Sequence, residues 1–359
     1  MSIPIEERLQ LCRDFWNGAE QKHPLIVFRM DEIFFSKSFR ALDPYLHMGT
    51  KMTADMLDVP KFLPDYERMY QELLDVPNEG IFSADPCTGI PWMEAILGAS
   101  VEGTNVSFVS HPCFHDVEEL DGLTFSRENP WYQKYLEFSR ELTKLSDGRF
   151  PVAQPILRGV TDTVGSLMGQ QDLVWGIIDE PERMIKAFDV VVDTQRALIE
   201  DQYKITKPFH GGYNVGFYHV WAPGKVFWFQ EDLAALLSPQ HFEQFLRRTY
   251  NRYCEGYDYT AVHLHPTAFH HLDGIMSIEG LKAVQITNDA NVTDIETLFP
   301  ACKRVIEGGK RLMLGMGSFS KEDLDLILRK LPRHSLELNI LVKSADHAKE
   351  LMDYIVHHS

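Results

Sequence analysis

The sharpest chemical signal in this 359-residue chain is Ala261-Val262-His263-Leu264-His265-Pro266. Side chains along a strand alternate faces, so His263 and His265 share one face, and Pro266 ends the strand. Two imidazoles so placed offer two donors to one metal ion, and tetrahedral zinc needs three or four. The next donor would come from His210, His219, Glu231, Asp232, His270 or Asp289. The alternative is that the two histidines hydrogen-bond a substrate or a neighbouring carboxylate.

Other residues could share that chemistry. Arg29 and Arg158 each follow a short apolar run. A guanidinium grips a carboxylate or phosphate in a bidentate way, so the pair suggests an anionic ligand. The scaffold reading pairs them with Asp31 and Asp162 instead. Asp85 closes another short run and could move a proton or hold a substrate N–H. Phe209–Trp228 (FHGGYNVGFYHVWAPGKVFW) is rich in Gly and aromatics and suits the wall of a pocket. Tyr218 on it joins Asp85, Arg29 and Arg158 as a catalytic candidate. Glu94, His210, Asn214, His219 and Asp289 are candidates for holding substrate. About half of the 15 histidines, including His115, His270 and His271, fall at or near the ends of expected strands.

Regular elements must position these groups. Eight runs read as strands: Leu25–Arg29, Gly80–Ala84, Val152–Leu157, Phe209–Tyr213, Thr260–His265, Lys282–Thr287, Arg311–Met316 and Leu336–Val342. Helical patterns lie between them, among them Asp179–Gln202, Ser238–Tyr253, Ser320–Lys330 and Ser344–Tyr354, several opened by a Ser cap or an early Pro. Alternating strands and helices predict a parallel sheet, and eight units predict a (β/α)8 TIM barrel spanning residues 1–359 as one domain. Long helical insertions near the N-terminus, between the first three strands, would form a lid or wall. Arg29-Met30-Asp31 stands where an open dinucleotide-binding sheet carries its Gly-rich turn, which weakens that alternative.

Composition narrows the function classes. Lys and Arg number 35 against 52 Asp and Glu, a formal net charge of −17, which argues against binding nucleic acid or anionic lipid. The N-terminus is charged and lacks an apolar signal core, and no run of about 18 apolar residues occurs. The five cysteines are scattered without a CxxC pair, which fits thiols in a reducing cytoplasm. Phosphate-loop, zincin, nucleophile-elbow and dinucleotide motifs are missing.

Three segments carry a resemblance. Asp75–Ala99 (DVPNEGIFSADPCTGIPWMEAILGA), Pro151–Pro181 (PVAQPILRGVTDTVGSLMGQQDLVWGIIDEP) and Phe229–Phe245 (FQEDLAALLSPQHFEQF) resemble, in order and layout, the uroporphyrinogen decarboxylase superfamily, which includes corrinoid-linked methyltransferases. The similarity runs from about residue 20 to 355. It implies a (β/α)8 barrel with a deep cleft at the carboxyl ends of its strands. The decarboxylase branch carries an Arg-rich segment after strand one; here Phe28-Arg29-Met30-Asp31-Glu32-Ile33 keeps only the first Arg. Its His turn after the last strand is absent from Leu338–Lys343. The methyltransferase branch carries a zinc-binding His-x-Cys on strand five; here it reads His263-Leu264-His265. That branch's later Cys ligand is missing, since no Cys follows Cys302.

The resemblance therefore implies a methyltransferase acting on a small molecule, with zinc on His263 and His265 and a corrinoid carried by a partner protein as methyl donor or acceptor. Two alternatives stand beside it. One is a metal-free decarboxylase or lyase in which Arg29 and Arg158 bind carboxylates and Asp85 handles the proton. The other is a non-catalytic barrel that binds a ligand.

Overall fold

The computed structural model describes residues 3–30, 34–289 and 294–359. Its strands in chain order are β1 (Leu25–Arg29), β2 (Thr50–Met52), β3 (Ser100–Gly103), β4 (Phe108–His111), β5 (Tyr213–Asn214), β6 (Trp221–Ala222), β7 (Val226–Gln230), β8 (Tyr259–Leu264), β9 (Leu281–Ile286), β10 (Arg311–Gly317) and β11 (Leu336–Leu341). Six of them form a parallel sheet in the order β1-β11-β10-β9-β8-β7. The fold is α/β, with helices crossing between successive strands as parallel pairing requires.

Both faces of the sheet are buried. Ile26, Phe28, Phe227, Phe229, Val262, Leu264, Val284 and Ile286 point to one apolar cluster shared with the helices. Leu25, Val27, Val226, Trp228, Ala261, Ala283 and Met313 point to a second cluster. That inner cluster is completed by the helix Ile5–Asn17 and by the hairpin β5–β6 with the turn between them. Phe217, Tyr218, Val220 and Trp221 of the hairpin are almost wholly inaccessible. Main-chain bonds pin it: Ile81 N donates to His219 O (2.7 Å) and Trp16 Nε1 to Trp221 O (2.8 Å).

Five of the eight expected strands are present as β1, β8, β9, β10 and β11. The second and third, Gly80–Ala84 and Val152–Leu157, are extended segments joined by an isolated parallel bridge, Ala84 to Val152. Prolines at 86, 151 and 155 remove the donors that a continuous ladder needs. The fourth expected strand is corrected. Phe209–Tyr213 is a tight turn, with Phe209 and Gly212 bonding each other's main chain, and the sheet position belongs to Val226–Gln230.

The expected helices form as Pro181–Ile205, Lys321–Lys330 and Ala345–His358, while the Ser238–Tyr253 pattern is broken by a wide turn at Phe242–Leu246. Ser320 and Asp323 make a reciprocal cap at the start of Lys321–Lys330. The insertions between the first three expected strands are mixed rather than all helical: β2, β3 and β4 form a small antiparallel sheet, and the helices Leu63–Leu74 and Pro130–Ser146 lie in the same stretches of chain. Among the described residues no helix is long and apolar enough to cross a membrane.

Candidate metal centre

Parallel pairing aligns Gln230, His263 and Gln285 side by side near the carboxyl ends of β7, β8 and β9. The side chain of Gln285 is oriented by its own donor, since Nε2 gives a hydrogen bond to Gly315 O at 2.9 Å. Its Oε1 is therefore the atom that meets His263 Nδ1, and an oxygen there requires Nδ1 to carry the proton. His265 Nδ1 lies 2.8 Å from Asp289 Oδ1, which fixes the second ring in the same way. Both Nε2 atoms are left with lone pairs, and they face each other at 3.0 Å.

Two lone pairs so close repel unless a cation sits between them. A shared proton would need one ring charged; burial holds the His263 imidazole below its ordinary pKa against the opposite pull of the Asp232 carboxylate. A metal ion is another cation that this geometry admits. Zn–N bonds of about 2.0–2.1 Å in a tetrahedron put two nitrogens about 3.3 Å apart. Asp232 supplies a third donor: its Oδ1 is 3.6 Å from His265 Nε2, and one ligand atom each from Asp232, His263 and His265 lies within 4.8 Å of the others. Among the described residues this is the one such group of metal-ligating side chains.

The loop that carries Asp232 is clamped. Gln230 Nε2 donates to Asp232 Oδ2 at 3.0 Å. Asp162 accepts from Asp232 N (3.0 Å) and Leu233 N (2.7 Å). In return Glu231 accepts from Val160 N and Thr161 N, both at 2.8 Å, at the start of the helix Val160–Met168. Burial raises Glu231 to about 7 and Asp162 well above the ordinary carboxyl range. His270 and His271 reach Leu237 O and Ala234 O, each at 2.8 Å, so these two histidines brace the same loop.

The other expected residues divide by place. Tyr218 touches His263 on the Nδ1 side, 3.3 Å away, and lies 3.4 Å from Gln285 Oε1. Its hydroxyl supports the imidazole edge away from the donor atom, and burial keeps the phenol neutral. Asp289 orients His265. Arg158 donates to the fully buried Glu94 at 2.8 Å, and Glu94, followed by burial, Asp162 and Asp232, shapes the charge it feels. Arg29 is sandwiched against Phe35 and Phe217, 5.2 and 4.8 Å from their ring centres. The residues proposed as its scaffold partners include Asp31, which with Glu32 lies outside the described residues.

Asp85 accepts from Thr88 N (3.1 Å) and from the Thr88 hydroxyl. With Ser83, Tyr66, Phe82 and His219 it lines a cavity of about 60 Å³ next to the hairpin. Asn214 and His210 are not in this group. Asn214 Nδ2 is spent on Ile81 O at 2.6 Å, inside the fold. His210 sits at the opposite end of the sheet, on the turn that replaced the expected fourth strand, with a left-handed φ of 47°. The five cysteines all lie outside the centre as free thiols, with burial raising each of their pKa values.

Sequence reasoning missed Gln285 and Gln230, which orient the donors. The available signal was register: both stand opposite His263 on neighbouring parallel strands.

No family model matches the chain, and no curated protein sequence matches it. Among solved structures the chain is similar to a methyltransferase from Methanosarcina mazei. The TM-score is 0.62 at 15% sequence identity, over 98% of this chain and 97% of that one. At this identity the likeness is one of fold.

Proposed function

We propose that this protein is a metal-dependent methyltransferase of the uroporphyrinogen decarboxylase type, with zinc held by His263, His265 and Asp232. The observation that carries the proposal is the pair of Nε2 lone pairs facing each other at 3.0 Å with a carboxylate beside them. The full-length likeness to a methyltransferase supports the choice of reaction class. On this reading β1, residues 80–84, residues 152–158 and β7 to β11 make an eight-membered ring. The bonds Glu79 N to Ile26 O and Gly159 N to Gln230 O, with the bridge from Arg158 to Gln230, support that closure.

Three protein donors leave a coordination position open, the arrangement of a catalytic rather than a structural site. A bound zinc ion would supply one thing there, a nucleophile kept as its anion at neutral pH. The protein does the rest. Gln285 and Asp289 hold the imidazoles in the donating tautomer. Arg158, steadied by Glu94, places positive charge near Asp232 for the anionic part of a substrate. The aromatic cavity at Phe82, Tyr66 and Asp85 takes an apolar part and excludes water. In the reaction the nucleophile's lone pair forms the new bond to the methyl carbon, and the old bond breaks with its electron pair leaving on the donor. A corrinoid carried by a partner protein fits the donor or acceptor role.

Elemental analysis of protein purified without added metal, paired with a methyl-transfer assay before and after chelation, tests the reading. Zinc near one equivalent, lost in His263→Ala, is the expected result. Metal-free protein with undiminished transfer would overturn it.

A further inference from the structure

We propose that the end of the sheet opposite the metal centre carries a second ligand site, which takes a small molecule with one carboxylate or phosphate group and an apolar, ring-sized body. The site is a cavity of about 250 Å³ between the first helix, Ile5–Asn17, and the amino ends of the sheet segments. A neighbouring cavity of about 430 Å³ shares Gly148, Phe150, Phe209 and His210 with it.

Charge singles this cavity out. Acidic residues exceed basic ones by 17 in the chain, yet the residues lining the cavity include Arg8, Arg149 and His210 and no carboxylate. Arg149 is met from outside by Glu67, with bonds of 2.9 and 2.8 Å. Arg8 is not met. One nitrogen donates to Gly80 O, its buried Nε has no partner, and it makes no ion pair among the described residues. A half-buried guanidinium without an anion is costly, because desolvation is not offset by a partner charge. Its planar donors match a carboxylate or phosphate. The walls say what accompanies the anion. Tyr70, Phe82, Phe150 and Phe209 present aromatic surface, which suits a flat apolar body.

The ordinary role for Arg8 would be to tie the first helix to the sheet through Gly80. That bond uses one donor and explains neither the unpartnered Nε nor a cavity without acids. Phe82 also borders the cavity at Asp85, but Arg8, Arg149 and His210 do not, so the anion-binding groups of this site are separate from the proposed methyl-transfer chemistry and each can fail without the other.

Calorimetric titration of the full chain with benzoate and with phenyl phosphate, against benzyl alcohol as the neutral match, tests the proposal. At least one anion should bind saturably and the alcohol should not. Arg8→Gln should weaken binding by about tenfold or more, the scale of one lost charge-assisted bond, whereas Arg248→Gln, at an exposed surface ion pair with Asp189, should leave it unchanged. If Arg8→Gln does not fold, the His210 ring resonances, assigned with His210→Ala, should move in the native protein with the same dissociation constant. Absence of saturation by either anion up to about 10 mM, or binding lost in Arg248→Gln and kept in Arg8→Gln, overturns the proposal.

Discussion

His263 and His265 face each other through Nε2 atoms 3.0 Å apart, while each ring's other nitrogen is turned to an oxygen, Gln285 Oε1 for one and Asp289 Oδ1 for the other. The outer bonds therefore determine what the inner atoms can do. Gln285→Leu should leave His263 free to take the other tautomer, with a proton on the donor atom. Zinc affinity, measured by competition with a chromophoric chelator, is expected to fall about 10- to 100-fold, the usual effect of losing such a partner. Unchanged affinity in a folded Gln285→Leu protein would contradict the assigned tautomer.

A second prediction concerns the Asp232 loop. Asp162 holds two of its main-chain donors, and no other carboxylate takes them. Asp162→Ala should let the loop move while both histidines stay in place. Zinc affinity should drop about tenfold or more, with the far-ultraviolet dichroism preserved. A merely structural role would lower the unfolding midpoint and leave the affinity of the folded protein as it was.

The pairing of His263 and His265 was legible in the sequence, for a simple reason. A strand period of two places His263 and His265 on one face whatever the rest of the fold does, and a following Pro marks the strand end. Asp232 was legible only as one of several donors, because its arrival depends on β7 lying beside β8. That neighbour was misplaced. Phe209–Tyr213 has aromatic and turn residues in the pattern of a short strand, whereas Val-Phe-Trp-Phe-Gln reads as a wall. A strand buried on both faces shows a continuous apolar run rather than alternation, and β7 is such a strand. The hairpin that fills the inner face was not legible, since nothing local tells an aromatic turn packed inside a sheet from one packed outside it.

That hairpin gives a third prediction. Gly216 has φ +48°, and a Cβ there would stand 2.3 Å from Trp228 Nε1 and 3.0 Å from Gln154 O. Gly216→Ala combines a strained backbone with overpacking and should destabilise the fold by about 1–3 kcal/mol in urea denaturation. It should also weaken zinc binding, because Tyr218 two residues on supports His263. Gly122→Ala, where an added Cβ meets nothing within 4 Å, serves as the control and should stay within about 0.5 kcal/mol.

The fourth prediction is a pH dependence far from the candidate metal centre. Glu79 is buried beneath β1, where Oε2 accepts from Ile26 N at 2.7 Å and Oε1 lies 3.6 Å from His23 Nε2. Burial raises its pKa to about 7, with His23 partly opposing the rise. An unfolded Glu titrates near 4.3, so between roughly pH 4.3 and 7 the folded chain keeps a proton that the unfolded chain has lost. The folded state binds more protons in that window, and stability must fall as pH rises through it. Glu79→Gln keeps an acceptor for Ile26 and removes the titration. Its unfolding temperature relative to the native chain should therefore improve from pH 5 to pH 8, the difference levelling off above about 7. A difference that is flat across this range would mean that Glu79 is solvated in the folded state, and that the bond to Ile26 does not hold the carboxyl in the interior.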